Sequence, residues 1–123
     1  MVHASNQAGM ENGVFLIYAL TSPDKLQSVK DIILEQIKDI CENPISDEEF
    51  RQAMAQINFY YKDRTASLDS ISVIAATDEL YQSGYDFYTT IDARIAKLTK
   101  EDVRETAKKY LQNPQILVVQ QGK

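Results

Sequence analysis

The sequence predicts an α+β fold, a small antiparallel sheet of about three strands covered by about four helices, on three observations. The uncharged segment GVFLIYAL, Gly13 to Leu20, reads as a central strand; helical apolar spacings with their own start signals fill most of residues 23 to 111; and a β-branched run, ILVV, follows at Ile116 to Val119. The helices are grouped between the second and third strands instead of alternating with them, which gives a helical layer on a sheet and not a doubly wound arrangement.

The elements follow in order. Residues 2 to 5 are expected as an edge strand, and Asn6 to Asn12, rich in Asn, Gly and Gln, as a loop completing a hairpin with the central strand. That strand is apolar on both faces, with Val14, Leu16, Tyr18 and Leu20 on one and Phe15, Ile17 and Ala19 on the other, so it is expected to lie within a sheet covered on both sides. Ser22, Pro23 and Asp24 supply a helix start: a cap, a residue already fixed at helical φ, and an anion at the positive end of the dipole. Leu26, Val29, Ile33, Ile37 and Ile40 then recur on one stripe until Asn43-Pro44 stops the helix.

Ser46 and Glu49 have capping-box spacing, and Ile45 and Phe50 occupy the two positions of a hydrophobic staple. The helix they open carries Phe50, Ala53, Met54, Ile57 and Tyr61 inward and is expected to reach Arg64. From Ala66 to Ser83, Leu68, Ile71, Ala75 and Leu80 keep helical spacing, although Ser67, Ser70, Ser72, Thr77 and Ser83 lower the propensity and leave packing to hold the segment. Gly84 is read as its left-handed stop, and Tyr85 to Arg94 as a short helix with Phe87, Tyr88 and Ile91 inward. Thr99 with Asp102, and Leu98 with Val103, repeat the box and staple before a last helix with Ala107, Tyr110 and Leu111, ended by Asn113-Pro114. Gln115 to Gln120 is expected as the final strand of the same sheet.

At 123 residues, 44% hydrophobic and 25% charged, the chain fits a single domain over residues 1–123. No run of about 18 apolar residues predicts a membrane span, and MVHASNQAGMENG has neither the basic start nor the apolar middle of a signal peptide. The opening reads as the interior of a longer protein, and the compartment stays open. The net charge of −5 sits largely at helix starts, and no Lys/Arg stripe interleaved with aromatics predicts nucleic-acid binding. Cys41, the single cysteine, excludes an internal disulfide and is expected as a small buried hydrophobe.

The chemistry expected of this sequence is limited. A hydrolytic zinc site needs about three ligands and a base, whereas His3 is the only histidine. No other His can activate Cys41 or a serine, and the glycines, four in all, form no phosphate-cradling loop. The neighbouring carboxylates Glu48-Glu49, Asp78-Glu79 and Glu101-Asp102 diverge on a helix, and two of the three pairs lie where a helix dipole favours anions, so acid/base work is not expected of them. Tyr60, Tyr61, Tyr81, Tyr85, Tyr88 and Tyr110 are expected as semi-buried packing groups. The expectation is no catalytic residue, no cofactor-binding residue and no metal ligand in this chain.

GVFLIYALTSPDKLQSVKDIILEQI, then ISDEEFRQAMAQI, then LTKEDVRETAKKYLQNPQILVVQ, in this order and spacing, resembles the C-terminal half of one lobe in the pitrilysin/insulinase family of zinc metallopeptidases, from about Gly13 to Gln121. The corresponding family features read here as Thr21-Ser22-Pro23, Ile45-Ser46-Asp47-Glu48-Glu49, Leu98-Thr99-Lys100-Glu101-Asp102-Val103 and Lys109-Tyr110-Leu111. The resemblance implies a piece of a longer protein of repeated lobes, in one chain or in paired subunits, enclosing a chamber where unfolded peptides are cut.

Its zinc motif, His-x-x-Glu-His with a downstream Glu, maps onto no residue here, nor do the Arg and Tyr that precede the strand in noncatalytic lobes. The chain is thus expected to be catalytically silent, with zinc elsewhere in the parent or partner. Other lobes or a paired peptidase subunit would be its partners, the peptide would be the parent's substrate, and exposed sheet would favour self-association. The alternative is a noncatalytic assembly or scaffold subunit on the same fold, paired with a peptidase. Neither nucleic acid nor membrane is an expected partner.

Overall fold

The computed structural model describes residues 1–9 and 11–120; Met10, inside the expected hairpin loop, and Gln121, where the resemblance ends, lie outside them. The elements are strands β1 (Val2–Gln7) and β2 (Val14–Ala19), then helices α1 (Leu26–Glu42), α2 (Asp47–Arg64), α3 (Leu68–Leu80), α4 (Ile91–Ile95) and α5 (Lys100–Tyr110), with 3₁₀ turns at Pro23–Lys25 and Phe87–Thr90. This is the α+β class that the sequence predicts. The elements group into two compact units, Met1–Pro44 with the described residues from Glu101 on, and Ile45–Lys100.

In the first unit, β1 and β2 form an antiparallel hairpin in the register Val2↔Ala19, Ala4↔Ile17, Asn6↔Phe15 and Gln7↔Val14. β1 runs two residues beyond the expected Ser5, because ladder pairing with Phe15 and Val14 outweighs the poor strand propensity of Asn6 and Gln7. Met1 extends the hairpin: the Leu20 N–H donates to the Met1 carbonyl at 2.9 Å, and the Met1 amino group donates to the Leu20 carbonyl at 3.2 Å.

Two expectations about the sheet are corrected. Among the described residues it has two strands, not three: Gln115–Gln120 joins no ladder, although its β-branched run has strand propensity, because propensity alone supplies no hydrogen-bonding neighbour. Nor is β2 covered on both sides. Ile17 and Ala19 are half-buried, but Phe15 on their face is exposed, as are Val14, Leu16, Tyr18 and Leu20 on the other, which lacks a packing partner within the described residues.

The remaining elements of this unit keep their predicted spacing. The expected Ser22 cap is not made among the described residues: Pro23 opens a single 3₁₀ turn, and α1 follows from Leu26, with Leu26, Val29, Ile33, Ile37 and Ile40 half-buried on one stripe. On α5, Val103 is half-buried and Ala107 buried, but Tyr110, expected inward, is exposed; Leu111, just past the helix, is half-buried.

In the second unit, α2 starts on a complete capping box. The Glu49 N–H donates to Ser46 Oγ at 3.2 Å, and the Ser46 N–H and Oγ–H donate to Glu49 Oε2 at 2.9 and 2.7 Å. Phe50, Met54, Ile57 and Tyr61 form its half-buried face, with Ala53 left exposed, and Ile45 at the staple position is half-buried too. On α3 the half-buried set is Ser70, Ile71, Ile74, Ala75 and Asp78, while Leu68 and Leu80 are exposed. Its hydroxyls are tolerated because Ser72 and Thr77 donate to the carbonyls of Leu68 and Val73, four residues back, at 2.9 and 2.7 Å.

The stop of α3 is also corrected. The first left-handed residue after it is Gln82, at φ 61°, with its N–H donating to the Glu79 carbonyl and that of Ser83 to the Asp78 carbonyl; Gly84, at φ 92°, turns the chain a second time. The segment Tyr85 to Arg94, expected as one short helix, divides into the 3₁₀ turn and α4. Among the described residues only Ile95 and Ala107 are fully buried, each 4% exposed, so the chain keeps much apolar surface in contact with solvent.

Candidate functional site

The residues that could carry chemistry are spread across both units. His3 lies on β1 opposite Tyr18, exposed, and Cys41 is half-buried near the end of α1 as a free thiol. Among the described residues, no three His, Cys, Asp or Glu side chains are grouped so as to hold a metal ion.

The carboxylate pairs diverge as adjacent helical residues must. Glu49 closes the cap of α2, and its neighbour Glu48 pairs with Arg51 and accepts from Gln52 at 2.8 Å. Glu101 pairs with Arg104 one turn on. Asp78 is half-buried, and among the described residues its Oδ2 atom accepts no hydrogen bond.

Three carboxylates titrate below their ordinary range, each through a neighbour that favours the anion. Lys100, by hydrogen bond and by charge, lowers Asp47; the Ser46 hydroxyl and N–H lower Glu49; and Lys108, by hydrogen bond and charge, lowers Glu105. All are exposed carboxylates at caps or ion pairs, and none is raised as a general acid near neutral pH would need to be.

Of the tyrosines, Tyr61 and Tyr88 are half-buried as expected, while Tyr60, Tyr81, Tyr85 and Tyr110 are exposed. Tyr60 stacks edge-on against Tyr61 at 5.4 Å between centroids, and its hydroxyl accepts from Arg64 Nη1 at 2.9 Å.

Sequence spacing does not reveal two open depressions in the second unit. One, of about 310 Å³, is lined by Arg64, Asp69, Ser70, Val73 and Ile74. The other, of about 270 Å³, is lined by residues that include Tyr61, Lys62, Ile71, Tyr88, Ile91 and Asp92. In the first unit, the broadest feature is the exposed face of the hairpin, where Val14, Leu16, Tyr18 and Leu20 stand opposite Gln7, Ser5, His3 and Met1. It is an apolar strip beside the polar residues His3, Ser5 and Gln7.

Comparison with known proteins bears on the same end of the chain. Residues 1–57, from β1 into α2, match the family model described as the peptidase M16 inactive domain. No curated protein and no solved structure gives a significant match. The Leu98 to Leu111 motif and the tail lie outside the matched span. Over residues 1–57 of its 123, the chain is similar to this inactive domain, which supports a pitrilysin/insulinase-like C-terminal domain and a non-catalytic part of such a protein.

Proposed function

We propose that this chain forms part of the wall of the peptide chamber of a zinc-dependent M16 endopeptidase, and itself supplies neither a zinc ligand nor a general base. The observation that carries the reading is the match of residues 1–57 to the inactive domain. The zinc and its base come from another lobe or a paired subunit, and this chain contributes surface.

The exposed face of β2 supports the wall assignment. Of the two parities of the strand, Val14, Leu16, Tyr18 and Leu20 form the more exposed one, and this is the parity we assign to the chamber. A surface that accepts unfolded peptides of varied sequence needs apolar area without a deep pocket, plus a few hydroxyl or amide groups to meet peptide polar atoms. Tyr18, Ser5 and Gln7 supply such groups on this face.

The test is a titration of the purified chain with an unstructured peptide, followed by methyl and aromatic NMR. Shifts at Leu16, Tyr18 and Leu20, with Ile17 and Ala19 unmoved and the peptide intact, are the expected result. Shifts confined to the second unit, or chelator-sensitive cleavage of the peptide, would overturn the assignment.

A further inference from the structure

The hairpin leaves one backbone edge open, and its hydrogen-bond parity can be read from a single pair. In an antiparallel ladder, opposed residues alternate between pairs that exchange both backbone bonds and pairs that exchange none. Met1 and Leu20 exchange both. Counting along the register, Tyr18, Leu16 and Val14 turn their N–H and C=O groups toward β1, and Ala19, Ile17 and Phe15 turn theirs outward. No strand meets that outer edge among the described residues.

Open edges are usually guarded by charge or proline because they template pairing with other chains. From Gly13 to Leu20 there is neither.

The same chain carries a segment suited to that edge. Gln115–Gln120 has neither charge nor proline and is rich in β-branched residues, and it lies outside any ladder. Its side chains already alternate, with Ile116 and Val118 at 50% and 47% exposure against 88% and 84% for Leu117 and Val119, the two-residue period of an extended strand. Six residues match the length of β2 and present three outward-facing backbone pairs to the three of Phe15, Ile17 and Ala19. The opposite edge, on β1, is flanked by His3, Ser5, Asn6 and Gln7, and offers poorer cross-strand partners for Ile, Leu and Val.

We propose that Gln115–Gln120 of one copy adds as a third strand to the outer edge of β2 in a second copy, and reciprocally, forming a two-fold dimer by strand exchange. Two self-complementary pieces on one chain generate this isologous arrangement without any other partner. The contact uses the backbone edge of β2 and not its Leu16–Tyr18 face, so it stands or falls apart from the chamber assignment.

Sedimentation equilibrium of the wild-type chain and of Val118→Pro and Val118→Thr tests it, with amide exchange read at low and high concentration. Val118 lies outside every element of the single chain, so neither substitution removes a native ladder bond, and circular dichroism checks that the helices persist. Proline deletes a donor and clashes in a ladder, so it is expected to weaken dimerisation by about tenfold or more, while threonine keeps it within about threefold. The amides of Phe15, Ile17 and Ala19 should gain protection only as the dimer forms, those of Leu16 and Tyr18 being protected throughout. A chain monomeric to about 100 μM, a dimer indifferent to Val118→Pro, or protection of Phe15 and Ile17 that does not depend on concentration would each overturn the proposal.

Discussion

Lys100 Nζ donates to Asp47 Oδ1 at 2.5 Å across 53 positions of sequence, tying the first turn of α2 to the residue that opens α5. The pair is exposed on the Asp47 side, so its signature is a titration and not a large share of stability. The Asp47 carboxyl should titrate below 3.8 by NMR, and Lys100→Met should return it toward that value.

The three lowered carboxylates also fix the direction of acid unfolding. Because their folded values lie below their unfolded ones, Asp47, Glu49 and Glu105 contribute stability above about pH 4.5, and that contribution is lost as the pH falls through the folded values. Urea midpoints measured from pH 7 to pH 3 should hold nearly level and then drop in the acid range. Ser46→Ala, which removes an acceptor and a donor from Glu49, should flatten part of that drop.

The same substitution tests the cap itself. Losing the Ser46 hydroxyl leaves the Glu49 N–H without its acceptor, at a cost of about 1 kcal/mol in urea unfolding, with Ser46→Asp recovering most of it.

After α3, Gln82 occupies a left-handed conformation that a side chain disfavours. Gln82→Gly is expected to stabilise the chain by about 0.5–1 kcal/mol, and Gly84→Ala, at φ 92° with the new Cβ 3.4 Å from Asp86 Oδ1, to destabilise it by about 1 kcal/mol. Opposite signs at two positions separated by one residue, read from thermal midpoints, would confirm which residue carries the strain.

Ile95 is the one large apolar side chain fully buried among the described residues. Ile95→Ala should therefore cost about 3 kcal/mol, more than alanine at the exposed Leu68 or Leu80, as measured by chemical denaturation.

Much of this architecture was legible in the sequence because its signals are local. The Ser46/Glu49 box, Pro23 and the Leu26 to Ile40 stripe depend on neighbours three or four residues away, and each appears where the spacing predicts it. What was not legible depends on partners distant in the chain. The apolar character of Val14 to Leu20 signals a strand wanting cover but cannot say that cover is present, and ILVV signals strand propensity without a neighbour to pair with. Glycine is the usual left-handed residue, so the sequence points to Gly84 as the end of α3, whereas the carbonyls of Asp78 and Glu79 capture the chain earlier, at Ser83 and Gln82. The depressions beside Ile71 and Val73 bring together residues from separate turns or elements, and no single sequence period encodes them.

The central claim, that this is a noncatalytic chamber part with its zinc held elsewhere, is tested most directly by the metal content of the purified chain. After equilibration with a small excess of zinc and gel filtration, elemental analysis should find well under one zinc per chain, unchanged by His3→Ala. One zinc per chain retained through the column and lost in His3→Ala would contradict the account, because it would place a metal centre on the strand assigned to the wall.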